Sequence, residues 1–272
     1  VLVGAGLAAG DRVFRPAAFA LALAGALAIQ VAANFANDAS DAKRGADNES
    51  RLGPPRMVAL GVISARRMWV AAWAAVAAAG LAAVGLALIA GPLILLIGAV
   101  SVVAMLGYVG GPIPYGYRGL GEVFVFIFFG LVATVGARYV HDSAAPLDAW
   151  LLATGVGASA TAILAVNNYR DIDTDREAGK RSLAVILGRE RARVLCVALI
   201  WGAYPLIALF ALAGWSPRPT LAAALLAPLA AAPAHAVRAE TDGAALTHAL
   251  KQTARLHLWV GAVLAAGSAL RF

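Results

Sequence analysis

Residues 16–38 read PAAFALALAGALAIQVAANFAND, and from residue 34 the chain runs on as NFANDASDAKRGADNESRLGPPR to residue 56. The first piece has the length that crosses a bilayer as a helix, about 20 apolar residues. The second is the most polar stretch in the first half of the chain, and no loop separates the two. A membrane helix therefore ends in Asn34, Asn37, Asp38 and Asp41, followed at once by Lys43 and Arg44. Working outward, apolar runs of similar length lie near 16–36, 68–89, 92–109, 119–137, 147–166, 194–214, 219–237 and 256–270. The chain is 61% hydrophobic and 14% charged, against roughly 45–50% and 25% for a soluble domain. Ten-residue alternating segments are absent, which excludes an outer-membrane barrel. The expectation is an all-α integral membrane protein, a single domain over residues 1–272.

The opening VLVGAGLAAG is too short to span and has no basic region before it, so it is not a signal peptide. It reads as the back half of a first helix, which brings the expected bundle to nine transmembrane helices. Cys196, alone in an apolar run, reads as a packed thiol. A net charge of +7 raises the question of nucleic acid, but the distribution answers it. Seventeen of the 22 Lys and Arg residues fall in the loops after the first, third, fifth and seventh full spans. Arg12, Arg15, Arg138, Arg218 and Arg271 are left on the opposite side. That is the positive-inside bias, and it places the richer side in the cytoplasm. All but Asp11, Asp142 and Asp148 of the 15 acids share that side, which the bias does not explain.

On a helix, Asn34 and Asp38 are four apart, Asn37 and Asp41 are four apart, and Asp38 and Asp41 are three apart, so the four share a face or its edge. Carboxylates at that spacing repel, and the helix dipole disfavours anions at a C-terminus. Something cationic among them resolves the conflict. Residues 163–181, ILAVNNYRDIDTDREAGKR, repeat the pattern: Asn167, Asp171 and Asp175 follow at four-residue steps where another span leaves the membrane. Asn34 and Asp38 precede Asn167 and Asp171 by the same 133 residues, and Lys43-Arg44 matches Lys180-Arg181. One such end is an ordinary solvated cap; two matched ends argue for a shared site at the membrane edge. Carboxylate and amide oxygens without nearby Cys or His select a hard cation, and Mg²⁺ arrives with phosphates. Lys43, Arg51, Arg56, Lys180 and Arg181 are then placed to hold phosphate oxygens. The run Asp171, Asp173, Asp175 is not a calcium loop, because the sixth position is Arg176 and the twelfth is Ser182.

Between 108 and 122, Gly110, Gly111, Pro112, Pro114 and Gly116 break any helix. Tyr108, Tyr115, Tyr117 and Arg118 read either as a lid or acceptor wall or as interfacial anchors. Glu122 stands one turn into the next apolar run, where a charge is costly. It either binds or deprotonates a substrate, or pairs with a neighbour such as Arg118. His235, His248 and His257 lack the spacing of a metal site, and His141 and Asp142 read as ordinary far-side loop.

With these residues in view, the chain resembles the UbiA superfamily of intramembrane aromatic prenyltransferases. Asn37-Asp38-x-x-Asp41 and Asp171-x-x-x-Asp175 match its two aspartate motifs; the third acid of the first motif departs, with Gly45 in its place and Asp47 next. NDASDAKRGADNESRLGPPR, YVGGPIPYGYRGLGEVFVFIFFG at 108–130 and NNYRDIDTDREAGKRSLAVILG at 167–188 are similar to the branch that uses 1,4-dihydroxy-2-naphthoate (MenA type). The resemblance implies that two Mg²⁺ ions bridge an isoprenyl diphosphate to Asp38, Asp41, Asp171 and Asp175, with Asn34, Asn37 and Asn167 assisting. It implies electrophilic prenylation of a bicyclic aromatic acid inside a bacterial inner membrane, with the site facing the cytoplasm. Glu122 is then a catalytic candidate, and Asp47, Tyr108, Tyr115, Tyr117 and Arg118 are acceptor or lid candidates. Alternatives are other aromatic acceptors (4-hydroxybenzoate, homogentisate, chlorophyllide) and, in another class, a transporter, which should carry its ionisable groups near mid-membrane.

Overall fold

The computed structural model describes residues 1–44, 56–110 and 114–270. Among them there is no strand. The helices are α1 (Leu2–Gly10), α2 (Pro16–Arg44), α3 (Ala65–Ala90), α4 (Leu93–Val109), α5 (Gly121–Asp142), α6 (Leu147–Arg170), the short α7 (Ile172–Glu177), α8 (Leu183–Leu212), α9 (Arg218–Ala239) and α10 (Gly243–Ala269). Each apolar run becomes a helix in the expected order. Six of them (α2, α3, α5, α6, α8 and α9) are long and apolar enough to cross a membrane. α4 is a shorter apolar helix, α1 has nine residues, and α10 carries His248, Lys251, Gln252 and Arg255 in its first half.

The boundaries have local causes. Gly91, at φ 91°, and Pro92 turn the chain between α3 and α4. Ser64 Oγ accepts from Arg67 N–H at the start of α3, and Asp242 accepts from the N–H groups of Ala244 and Ala245 at the start of α10. α8 begins at Leu183 rather than 194, since the charged turn Arg189–Arg193 stays helical outside the apolar run, bent at Gly188 with φ 74°.

α6 is the central helix: 61% of its apolar window is buried, against 11% for α2 at the rim. Leu152, Val156, Val166 and Tyr169 of α6 meet Ile207 of α8 and Leu246, Val260 and Leu264 of α10 in the main core. Gly130 of α5 and Gly157 of α6 lie backbone to backbone, so close that a Cβ on Gly130 would overlap Gly157 Cα; small residues of this kind let membrane helices approach. A second core joins Ala18, Leu86, Ile94 and Val140 of α2, α3, α4 and α5. Leu81, Leu88, Val103 and Leu225 point outward and remain mostly exposed, as lipid-facing residues should.

α5 is not a uniform α-helix, because Phe126–Val132 forms a π turn. At its far end His141 and Asp142, expected in a loop, complete the helix. His141 is fully buried and its Nδ1 accepts from Arg15 N–H. The buried Arg138 guanidinium reaches Asp11 at 2.8 Å and Asp142 at 2.6 Å, tying the turn after α1 to the end of α5.

Candidate active site

Asn34, Asp38 and Asp41 lie on the last turns of α2, on the end of the molecule that also carries α7 and the Tyr115–Arg118 turn. Asn34 Nδ2 donates to Gln30 O at 2.9 Å, and both Asn34 and Asn37 face a cavity. Asp38 is buried, and its two oxygens accept from the backbone N–H groups of Met57 and Val58, each at 3.1 Å. The carboxylate thus fixes the returning chain against α2 while each oxygen keeps a further lone pair. Asp41 Oδ1 accepts from the Tyr117 hydroxyl at 2.8 Å.

The second motif hangs from the end of α6. Arg170, absent from the sequence candidates, grips Asp171 with Nε at 2.7 Å and a terminal nitrogen at 2.8 Å, and holds Asn167 Oδ1 at 3.0 Å. Asn167 Nδ2 also donates to Asp171, at 3.3 Å. Lys180 pairs with Asp175 at 3.1 Å and stands over the Tyr117 ring, 5.8 Å from its centroid. Arg181 N–H donates to Tyr117 O at 3.2 Å. A chain of contacts, Asp41–Tyr117–Lys180–Asp175, therefore joins the two motifs across the mouth of the bundle. Asp173 belongs to neither: it is exposed and pairs with Arg176 and Arg189.

Burial raises the Asp175 carboxyl above the ordinary aspartate range, against the pull of Lys180. Burial alone would lower the Lys180 ammonium, but Asp175, Tyr108 and Asp41 outweigh it and hold it above its usual value. Asp175 Oδ2 is buried without a hydrogen bond of ordinary geometry, as is the Ser182 hydroxyl whose proximity stabilises the carboxylate. Among the described residues no three acidic, His or Cys side chains converge on one metal position. The carboxylates stand instead around the mouth with cationic side chains between them. That donor set suits a hard cation arriving with oxygens of its own.

Lys43, Arg118 and Arg181 are exposed at the same end, and Arg56 is half-buried there. Asp47 and Arg51 lie outside the described residues. The tyrosines are not surface anchors. Tyr115 donates to Ala104 O at 2.7 Å, stacks on Phe124 at 3.7 Å and meets Tyr108 edge-on at 5.5 Å. Burial raises its phenol pKa, so it stays neutral. Glu122 does not pair with Arg118. It is buried at the start of α5, where its Oε1 accepts from Asn168 Nδ2 at 2.9 Å. No signal in the sequence singled out Asn168, the second of two adjacent asparagines.

Below this polar mouth lies a cavity of about 990 Å³. Asn34, Asn37, Tyr108 and Tyr115 border it at the polar end; apolar residues of α2, α3, α4 and α5, down to Ala22, Leu86, Ile94 and Val140, line the rest. On α5 the lining residues are Gly121, Phe124, Val125, Phe128, Phe129, Val132, Ala133, Gly136, Ala137 and Val140, a stripe repeating every fourth residue. In an unbroken α-helix the positions 121 and 137 would face directions about 160° apart. The π turn, with more residues per turn, keeps them on one side.

The fold resembles a UbiA homologue from Aeropyrum pernix, with a TM-score of 0.68 over 98% of this chain and 95% of that one at 21% identity. It also resembles a UbiA homologue from Archaeoglobus fulgidus solved with DMAPP and Mg²⁺, with a TM-score of 0.60 over 97% and 94% of the two chains at 17% identity. The sequence is 38% identical over 249 residues to the 1,4-dihydroxy-2-naphthoate octaprenyltransferase of Mycobacterium tuberculosis, covering 91% of this chain and 83% of the relative. The model of the UbiA prenyltransferase family matches residues 1–267. A polar, acid-rimmed mouth over a long apolar cavity, on a helical membrane bundle with these relatives, is that of the family to which the chain belongs: the UbiA prenyltransferases.

Proposed function

We propose that this chain, acting as one domain, transfers a polyprenyl group from an isoprenyl diphosphate to 1,4-dihydroxy-2-naphthoate, releasing diphosphate and CO₂ and giving demethylmenaquinol, the reduced form of demethylmenaquinone. The observation that carries the reading is the junction of an acid-rimmed mouth with an apolar cavity of about 990 Å³, which matches the two halves of a prenyl diphosphate. The M. tuberculosis relative, a 1,4-dihydroxy-2-naphthoate octaprenyltransferase, supplies the acceptor.

Asp38, Asp41, Asp171 and Asp175, with Asn34, Asn37 and Asn167, would hold Mg²⁺, most simply as two ions, one at each motif. The fit rests on an all-oxygen donor set and on the buried Asp175 Oδ2, which has no hydrogen bond of ordinary geometry among the described residues. Bound there, Mg²⁺ supplies positive charge to the diphosphate as it leaves. The chain's own residues do the rest. Lys180 and Arg181, joined by Lys43, Arg51 and Arg56 from the other motif, bind the phosphate oxygens. Arg170 holds the Asp171 carboxylate in a fixed orientation. The apolar walls of α2–α5 take the prenyl tail, and the Tyr108–Tyr115–Phe124 cluster faces the allylic end with aromatic rings. The allylic C–O bond breaks with its electron pair on the diphosphate, the ring attacks the allylic carbon, and CO₂ departs to restore aromaticity. Exclusion of water by this wall protects the allylic cation from hydrolysis. The excess of Lys and Arg at this end supports a mouth that faces the cytoplasm, in a reading that puts the chain in a bacterial inner membrane.

The test is a panel of aromatic acceptors offered to membranes containing the chain, with isoprenyl diphosphate and Mg²⁺. Product is expected with 1,4-dihydroxy-2-naphthoate and is lost on chelation of divalent metal. Absence of product from every acceptor, with an active control enzyme alongside, overturns the reading; product from another acceptor alone moves it to another branch.

A further inference from the structure

Glu122 and Asn168 form a polar pair sealed between α5 and α6, one turn inside the membrane-facing helices. Glu122 is 6% exposed and Asn168 3%. Their mutual hydrogen bond, at 2.9 Å, engages one glutamate oxygen and the asparagine nitrogen. Among the described residues, Glu122 Oε2 and Asn168 Oδ1 are both buried and without a hydrogen-bond partner. Two orphaned acceptors on adjoining side chains are a rare and unfavourable arrangement in a protein interior. It makes sense where a ligand supplies the missing donors.

The pair lies directly behind the polar end of the cavity. Gly121, next to Glu122, and Leu164, one turn before Asn168, are both lining residues, and Tyr108 lies against Gly121. Glu122 is also within electrostatic reach of Tyr108, Lys180 and Asp175. A group bound at the mouth beside Tyr108 therefore lies against the helix turns that carry both orphaned oxygens. Phosphate does not satisfy these two oxygens, because it brings them only further acceptors and negative charge. A hydroxyl fits, since it brings a proton to donate.

We infer that Glu122 and Asn168 recognise the ring hydroxyls of the aromatic acceptor, each accepting a hydrogen bond through its unpaired oxygen. This rests on the prenyltransferase reading and extends it by giving the acceptor a place separate from the diphosphate residues. A hydroxyl held in this way has its O–H bond polarised and its oxygen made more electron-donating to the ring. The pair thus selects hydroxylated rings and orients them against the Tyr108–Tyr115–Phe124 wall.

The experiment measures inhibition of the purified protein by 1-hydroxy-2-naphthoate and 4-hydroxy-2-naphthoate, each lacking one hydroxyl, alongside KM for 1,4-dihydroxy-2-naphthoate. The wild-type protein is compared with Glu122→Gln, Glu122→Ala and Asn168→Ala. In the wild type, at least one monohydroxy compound should bind about tenfold or more weakly than the dihydroxy acid. In the variants that discrimination should collapse, KM for the acceptor should rise about tenfold, and KM for isoprenyl diphosphate should stay within about twofold. Glu122→Gln keeps the shape of the side chain and serves if Glu122→Ala does not fold. Discrimination that survives in the folded variants, or a KM for diphosphate that rises as much as that for the acceptor, overturns the assignment. If the wild type makes no naphthoate product at all, it is the proposed function that falls, and the two failures are told apart.

Discussion

Arg170 and Asp171 are neighbours in sequence, yet they make the tightest contact in the mouth, two N–H···O bonds at 2.7 and 2.8 Å. A guanidinium holds a carboxylate in a plane as an ammonium cannot. Arg170→Lys should therefore lower kcat/KM by about tenfold with little change in thermal stability, measured in steady-state assays beside a melting curve. Unaltered kinetics would remove Arg170 from the positioning of Asp171. Asp38→Ala and Asp171→Ala should each cost at least about 10²–10³ in turnover, the scale of losing a preorganised electrostatic group, while the protein still inserts. Near-normal rates in both would end the metal assignment. Lys180 is a different case, because it already neutralises Asp175 at 3.1 Å. Lys180→Met should raise KM for isoprenyl diphosphate by about tenfold, a change visible in substrate titrations. Asp38 and Asp171 were legible in the sequence because each follows an asparagine by four, 133 residues apart, and Lys43 and Lys180 because a basic pair trails each acidic cluster. Arg170 and Asn168 were not, since an arginine beside an aspartate and a doubled asparagine carry no period or spacing that marks them.

At the scale of the element, the apolar runs located every long helix, because about 20 apolar residues leave the backbone no other way to satisfy itself in lipid. The ends were harder to read. Charged turns such as Arg189–Arg193 continue a helix beyond the membrane, and His141 and Asp142 complete α5 where polarity alone suggested a loop. Nothing in the local sequence pairs Arg138 with Asp11, 127 positions away. That pairing is nonetheless costly to break. The Arg138 side chain is only 4% exposed, and truncating one partner of a buried ion cluster typically costs about 3–5 kcal/mol. Arg138→Met should lower the melting temperature in detergent clearly, while the variant that remains folded keeps its KM for both substrates. A full-height melting transition at the wild-type temperature would show the cluster to be structurally idle.

Over the whole molecule, the charge bias and the geometry concern the same end, since the acid-bearing helix termini and the basic loops gather around one mouth. Orientation can be tested through the one native cysteine, Cys196, which is buried and can be replaced by serine. Ala144→Cys, in the exposed turn beyond α5, should react with an impermeant maleimide added outside intact cells; Glu177→Cys, at the end of α7, should react only after permeabilisation. The reverse pattern would invert the topology. The π turn at Phe126–Val132 bears on both ends at once. It lies between Glu122, which must meet Asn168, and Arg138, which must meet Asp11. Deleting one residue from the ordinary helix that follows, within residues 133–137, would swing one end against the other by about 100°, whereas the π turn itself absorbs about one extra residue and can lose it with little rotation. α5 then behaves as a shaft keyed at both ends. A helix shortened outside the π turn can leave the acceptor pair engaged or the far-side cluster engaged, but not both, so such a protein must lose either its choice of substrate or its hold on α1.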